Sequence, residues 1–122
     1  MITVGTGAGN LDFIFQIGSA RPLYFTFERY NSTTDSYSDE DISTKTFSFL
    51  VKKYKGDRTN VFNLTNSNGI TVPVYSTNEI RVDVSATNSN IQEGEYVWEL
   101  RRTDLNAPYL SGKAFFVYDS PQ

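Results

Sequence analysis

Two six-residue stretches constrain this chain more than any other feature. In Ile80-Arg81-Val82-Asp83-Val84-Ser85 the even positions are apolar and the odd ones polar. Tyr96-Val97-Trp98-Glu99-Leu100-Arg101 keeps the same parity, with Val97 as its one exception. Successive side chains of a strand point to opposite faces, so period two marks a strand with one buried face. A helix would need apolar residues at i, i+3, i+4 and i+7, and no window of eleven residues or more supplies them. The chain reads as all-β, with no substantial helix.

The remaining apolar runs fit that reading. Phe13–Ile17 ends at a Gly18-Ser19 turn, and Leu23–Phe27 follows Pro22, which a strand tolerates at its start. Residues 31–44 are mostly Asn, Ser, Thr, Asp and Glu, so a long exposed loop is expected there. Thr46–Lys52 leads through a hairpin turn at Lys55-Gly56-Asp57-Arg58 into Asn60–Leu64. Asn66-Ser-Asn-Gly69 makes a second turn from residues that accept positive φ. Ile70–Val74 is a short strand whose Pro73 suggests an edge, and Lys113–Tyr118 closes the domain. About seven to eight short strands at hairpin spacing predict an antiparallel β-sandwich over residues 13–119. Its core is expected to hold Phe25, Phe27, Phe47, Phe49, Val82, Val84, Tyr96, Trp98 and Leu100. Gly94, two residues before Tyr96, has the spacing of a tyrosine corner, in which the phenol bonds back to the backbone just upstream.

Residues 1–12 stand apart, with Gly5, Gly7 and Gly9 at alternate positions and little to bury. They read as a flexible N-terminal arm, and residues 120–122 as a short C-terminal tail. Held by a neighbouring chain, the arm would add the backbone of Ile2, Thr3 and Val4 to an exposed sheet edge. Packing along its own domain is the alternative. Tyr37 is the further candidate partner-binding residue, from the middle of the long loop.

Composition removes most chemistry. There is no Cys and no His, so disulfides, thiol nucleophiles, Cys-rich zinc sites and any Ser-His-Asp triad are excluded. The three arm glycines lack the preceding strand and following helix of a phosphate-binding loop. Asp35, Asp39, Glu40 and Asp41 lack the spacing and central glycine of a calcium loop and read as a solvated segment. Glu93, Glu95 and Glu99 share the outward parity and are not a paired acid and base. Lys52, Lys53, Lys55 and Arg58 surround a hairpin turn, where charge keeps an edge soluble. A formal net charge of −3 argues against a nucleic-acid partner, and no apolar run is long enough to span a membrane. Tyr30, Tyr37, Tyr75 and Tyr109 suit either sugar stacking or protein contact. Asn31-Ser-Thr33 and Asn63-Leu-Thr65 match glycosylation sequons, but the first residues lack the basic and apolar regions of a secretion signal, so the matches read as chance. No reaction assembles from these pieces, and neither an enzyme nor a cofactor is expected.

From Phe13 to Tyr118 the order of motifs resembles the small immunoglobulin-like domains of tailed-bacteriophage virion proteins, among them capsid decoration, head-fibre and tail or baseplate adaptor domains. The likeness is carried by Phe47-Ser-Phe49-Leu-Val51-Lys52, Gly69-Ile-Thr-Val72, Ile80-Arg-Val82-Asp-Val84, Gly94-x-Tyr96-x-Trp98-x-Leu100 and Leu110-Ser-Gly112-Lys-Ala-Phe115-Phe-Val117. The last is one residue longer between glycine and valine than the family pattern. The resemblance implies a structural subunit of a virion, made in the host cytoplasm, that binds other capsid, portal, tail or fibre proteins. Host-surface glycan contact is a lesser expectation. Ser, Thr and Asn together supply 35 residues, a neutral polar surface suited to crowded assembly. The alternative is a bacterial surface or carbohydrate-binding β-sandwich module.

Overall fold

The alternation read from the sequence is the alternation that is buried. Val82 and Val84 point inward from one strand and Tyr96, Trp98 and Leu100 from another, each under a tenth exposed. Fully burying a large apolar side chain stabilises by about 1.5–3 kcal/mol, so these positions fix which face of each strand turns inward. All nine expected core residues are buried, joined by Phe13, Phe15, Ile42, Val51, Ile80 and Phe116 among others. The computed structural model describes residues 2–4, 9–73, 76–103 and 107–118.

Among the described residues the chain is all-β apart from one helical turn. In chain order its elements are β1 (Ile2–Val4), β2 (Gly9–Asn10), β3 (Phe13–Gln16), β4 (Arg21–Asn31), β5 (Ser36–Asp39), β6 (Phe47–Lys52), β7 (Asn60–Asn66), β8 (Gly69–Thr71), β9 (Glu79–Val84), α1 (Ala86–Ser89), β10 (Gly94–Arg102) and β11 (Ala107–Val117). The strands hydrogen-bond in the order β1-β4-β9-β8-β7-β6-β10-β11-β2, with β3 also on β11 and β5 also on β4. This path curls back on itself. Phe25 of β4 lies 6.4 Å from Trp98 of β10, ring centre to ring centre, and Phe27 lies 5.3 Å from Phe47 of β6, although these strands share no ladder.

The expectation of a purely antiparallel arrangement of seven to eight strands is corrected in two respects. The described chain has eleven strands, and four of the pairings are parallel: β1 with β4, β2 and β3 with β11, and β7 with β8. The extra strands are two to four residues long and held by main-chain hydrogen bonds, which leave no side-chain period to read. The segment 31–44 is also not one loop. β4 runs on to Asn31 and returns through a turn as β5, which is exposed along its whole length. A strand exposed at every position carries no apolar alternation, so β5 is silent in the sequence. Beyond it the chain re-enters the core: the amide of Glu40 donates to the carbonyl of Phe27 at 3.0 Å, and Ile42 is fully buried.

The segment expected to be a flexible arm lies, where described, along its own domain. Ile2, Thr3 and Val4 are in register with Phe25, Thr26 and Phe27. Gly9 and Asn10 pair with Leu110 and Ser111, the Leu11 amide donates to the Ser111 carbonyl at 3.0 Å, and Asp12 Oδ1 accepts from the Lys113 amide at 3.0 Å. Residues 5–8 and the tail at 120–122 lie outside the described residues.

Two local devices fix the far end of the fold. The Tyr96 phenol donates to the Gln92 carbonyl at 2.6 Å, which is the tyrosine corner that the Gly94 spacing predicts. Just before it, the Ser85 hydroxyl accepts the Asn88 amide at 3.0 Å and the Asn88 side chain accepts the Ser85 amide at 3.1 Å, a reciprocal cap on α1. Fully buried Ser89 then ties α1 to the β3–β4 turn, its hydroxyl donating to the Ser19 carbonyl at 2.8 Å.

Candidate interaction site

The outward parity of β10 is where the surface acquires character. Val97 pairs with Lys52 of β6 on one side and with Lys113 of β11 on the other. Adjacent strands lie about 4.8 Å apart, so the two lysine Cα atoms stand about 10 Å apart with Val97 between them. One row along, Glu99 pairs with Leu50 and with Ser111. Half-buried Leu50 and Val97 therefore form an apolar floor, flanked by lysines.

The β6–β7 turn supplies a wall. The Asp57 amide donates to the Tyr54 carbonyl at 3.1 Å, and Gly56 has φ of 87°. A positive φ at the third residue is what a type II turn requires, and glycine adopts it without a steric cost. The turn brings Lys55 over the same face, and together these residues enclose a concavity of about 340 Å3. Lys52, Lys55 and Lys113 line it against the single acid Glu99. Lys113 also reaches Glu95 at 3.6 Å, with both side chains more than half exposed. Such surface pairs are worth about 0–1 kcal/mol, so Lys113 can exchange that partner for another anion at little cost. Glu99 is paired with Arg101 on its other side.

The second feature is the β4–β5 ribbon. Glu28, Arg29, Tyr30 and Asn31 pair with Asp39, Ser38, Tyr37 and Ser36. Tyr37 and Asp39 are two residues apart in a strand and so share a face, and Glu28, directly opposite Asp39, shares it too. Tyr37 is 63% exposed. Carboxylates placed directly across a ladder repel one another. At the ribbon's base Glu40 lies 4.0 Å from Arg102, and Asp41 accepts both the amide and the hydroxyl of Ser43, at 2.9 and 2.6 Å. The hydroxyl bond first, then the amide bond and nearby Lys45, hold the Asp41 carboxyl below the usual aspartate range.

The candidate residues named from the sequence are thus separated. Ile2, Thr3 and Val4 pair with β4 of their own chain, Tyr37 stands on the ribbon, and of the basic residues at 52–58 only Lys52 and Lys55 line the concavity, joined there by Lys113 of β11. Lys113 is 61 residues from Lys52, and only the placement of β10 between β6 and β11 unites them. Tyr75 lies outside the described residues. Among the described residues no group of three or more acidic side chains is arranged to hold a metal ion, and no helix is long and apolar enough to cross a membrane.

No family model and no curated protein matches the chain. Among solved structures it is similar to the NK cell receptor Nkp44, described as a triggering partner in natural cytotoxicity, at a TM-score of 0.39 and 14% sequence identity, covering 93% of this chain and 100% of that one.

Proposed function

We propose that the chain is a bacteriophage virion structural protein, an auxiliary or connecting immunoglobulin-like subunit that binds other capsid or tail proteins. The fold half of this reading takes β4, β9 and β8 as one layer and β7, β6, β10 and β11 as the other, with the short β7–β8 contact as a seam. Its support is the packing of Phe25 and Phe27 against Trp98 and Phe47, together with the tyrosine corner at Tyr96, a device of such sandwiches. The virion half rests on the motif order from Phe47 to Val117.

The observation that carries the assembly reading is the lysine-lined concavity between Lys52 and Lys113, built on a rigid sheet and facing outward. A charged recess over an apolar floor is suited to gripping a protein segment, with the floor supplying contact area and the rim supplying orientation. Immunogold labelling tests the reading. An antibody raised against the purified chain is applied to tailed particles from cells that express it. Gold on intact particles is expected, whereas label confined to the soluble host fraction overturns the proposal. A glycan array with the same protein separates the alternative: reproducible capture by one sugar class, lost on Tyr37→Ala or Tyr54→Ala, favours a carbohydrate-binding module.

A further inference from the structure

We infer that the β4–β5 ribbon of one copy docks into the lysine-lined concavity of a second copy, so that the chain associates head to tail. The two surfaces are complementary in kind. The ribbon carries Tyr37 beside Asp39, with Glu28 opposite, on one face. The concavity presents an apolar floor of Leu50 and Val97 within reach of Lys52, Lys55 and Lys113. An exposed tyrosine offers a broad apolar body that costs little entropy to immobilise, and it belongs on that floor. The carboxylates then meet the lysines, and the repulsion between Glu28 and Asp39 within each ribbon is relieved by the neighbour's cations.

The dimensions agree. A two-stranded ribbon is about 4.8 Å wide between backbones, and the lysine Cα atoms flanking Val97 are about 10 Å apart. Tyr37 and Asp39 are about 7 Å apart along β5, so the ring can sit over Val97 while the carboxylate reaches the lysine rim. The ribbon lies at the end of β4 and the concavity on the outer face of β6, β10 and β11, so the two are different patches of one molecule. An interface between unlike patches does not close on itself in pairs and builds rings or filaments. It is also small, so association is weak in dilute solution and is favoured where copies are crowded together. The property belongs to the chain alone, and its failure leaves the virion reading standing.

Sedimentation velocity over a concentration series tests it with three proteins: the full chain, a concavity variant (Lys55→Ala with Lys113→Ala) and a ribbon variant (Tyr37→Ala with Asp39→Ala). All four substitutions are at exposed side chains, and circular dichroism checks that each variant folds. The unaltered chain is expected to form species beyond the dimer as concentration rises, and to lose them between about 0.05 M and about 0.5 M salt, where the Debye length shrinks severalfold. Each variant alone is expected to associate at least about tenfold more weakly, a loss of about 1.4 kcal/mol. An equimolar mixture of the two keeps one intact junction, and is expected to form heterodimers and nothing larger. A monomeric unaltered chain at every concentration, variants that associate as it does, or an unaltered chain that stops at the dimer while the mixture stays monomeric would each overturn the inference.

Discussion

The indole Nε1 of Trp98 donates a hydrogen bond to the carbonyl oxygen of Leu11 at 2.8 Å. It can do so because Gly112, next to Trp98 in the β10–β11 ladder, has no side chain. A Cβ there would stand 1.8 Å from that same oxygen and 2.6 Å from the Leu11 carbonyl carbon, both backbone atoms that cannot rotate aside. The buried indole finds its one hydrogen-bond partner in the link between β2 and β3, which crosses over the glycine, and the N-terminal segment is thereby latched to the core.

Trp98→Phe keeps most of the ring and removes the donor, and is expected to cost about 1–3 kcal/mol from the unsatisfied carbonyl and the lost volume. Gly112→Ala is expected to cost about 1–3 kcal/mol by overpacking and to displace the segment around Leu11. The two effects share one contact, so the double variant should lose clearly less than the sum, by about 0.5–3 kcal/mol. Urea unfolding of the four proteins checks this, and strict additivity would show that the latch does not exist.

Removal of residues 1–12 follows from the same contact. A flexible arm could be cut with little effect on melting. Here the cut takes away the Leu11 carbonyl, the Asp12 bond to the Lys113 amide and the pairings of β1 and β2. The melting temperature is expected to fall by more than about 4 °C, the shift that 1 kcal/mol produces in a domain of about this size. A calorimetric scan decides it.

Tyr96→Phe removes only the phenol oxygen, which donates to Gln92. A loss of about 1–2 kcal/mol is expected, because the ring stays packed edge-on against Phe116 while a carbonyl loses its partner. An unchanged midpoint in urea would mean that the corner carries no stability.

The inward face was legible because burial imposes a period. Val82, Val84, Tyr96, Trp98 and Leu100 had to alternate, and Gly94 had to precede the corner tyrosine. What escaped is what backbone or topology decides without patterning side chains. β2 and β5 pair through the main chain and show no apolar rhythm, and Ile2-Thr3-Val4 alone does not say whether the edge it joins is its own or a neighbour's. Ile42 sits alone among polar residues, and one buried residue makes no period. The concavity needs Lys52 and Lys113 on either side of Val97, a relation that exists only once strand order and register are known. The glycine of Leu110-Ser-Gly112 was visible as a motif, but its reason, the passage of Leu11 over it, lies a hundred residues away in the chain.

Asp41 offers a test by pH. The Ser43 hydroxyl and amide and the nearby Lys45 favour its charged form, so its folded pKa lies below the unfolded one. The resulting stabilisation is fully present above the ordinary aspartate range and is lost as pH falls through the lowered folded value. A carboxyl-carbon NMR titration should place Asp41 below that range, and Ser43→Ala should move it back up. A midpoint that Ser43→Ala leaves in place would mean the serine hydroxyl is not its cause.

The central proposal is that this chain is a built-in part of a virion. Mass spectrometry with isotope-labelled reference peptides, applied to gradient-purified tailed particles, counts it directly. The account predicts a fixed number of copies per particle, the same in independent preparations and a multiple set by the symmetry of the capsid or tail. Purified particles that contain no peptide of this chain would contradict it.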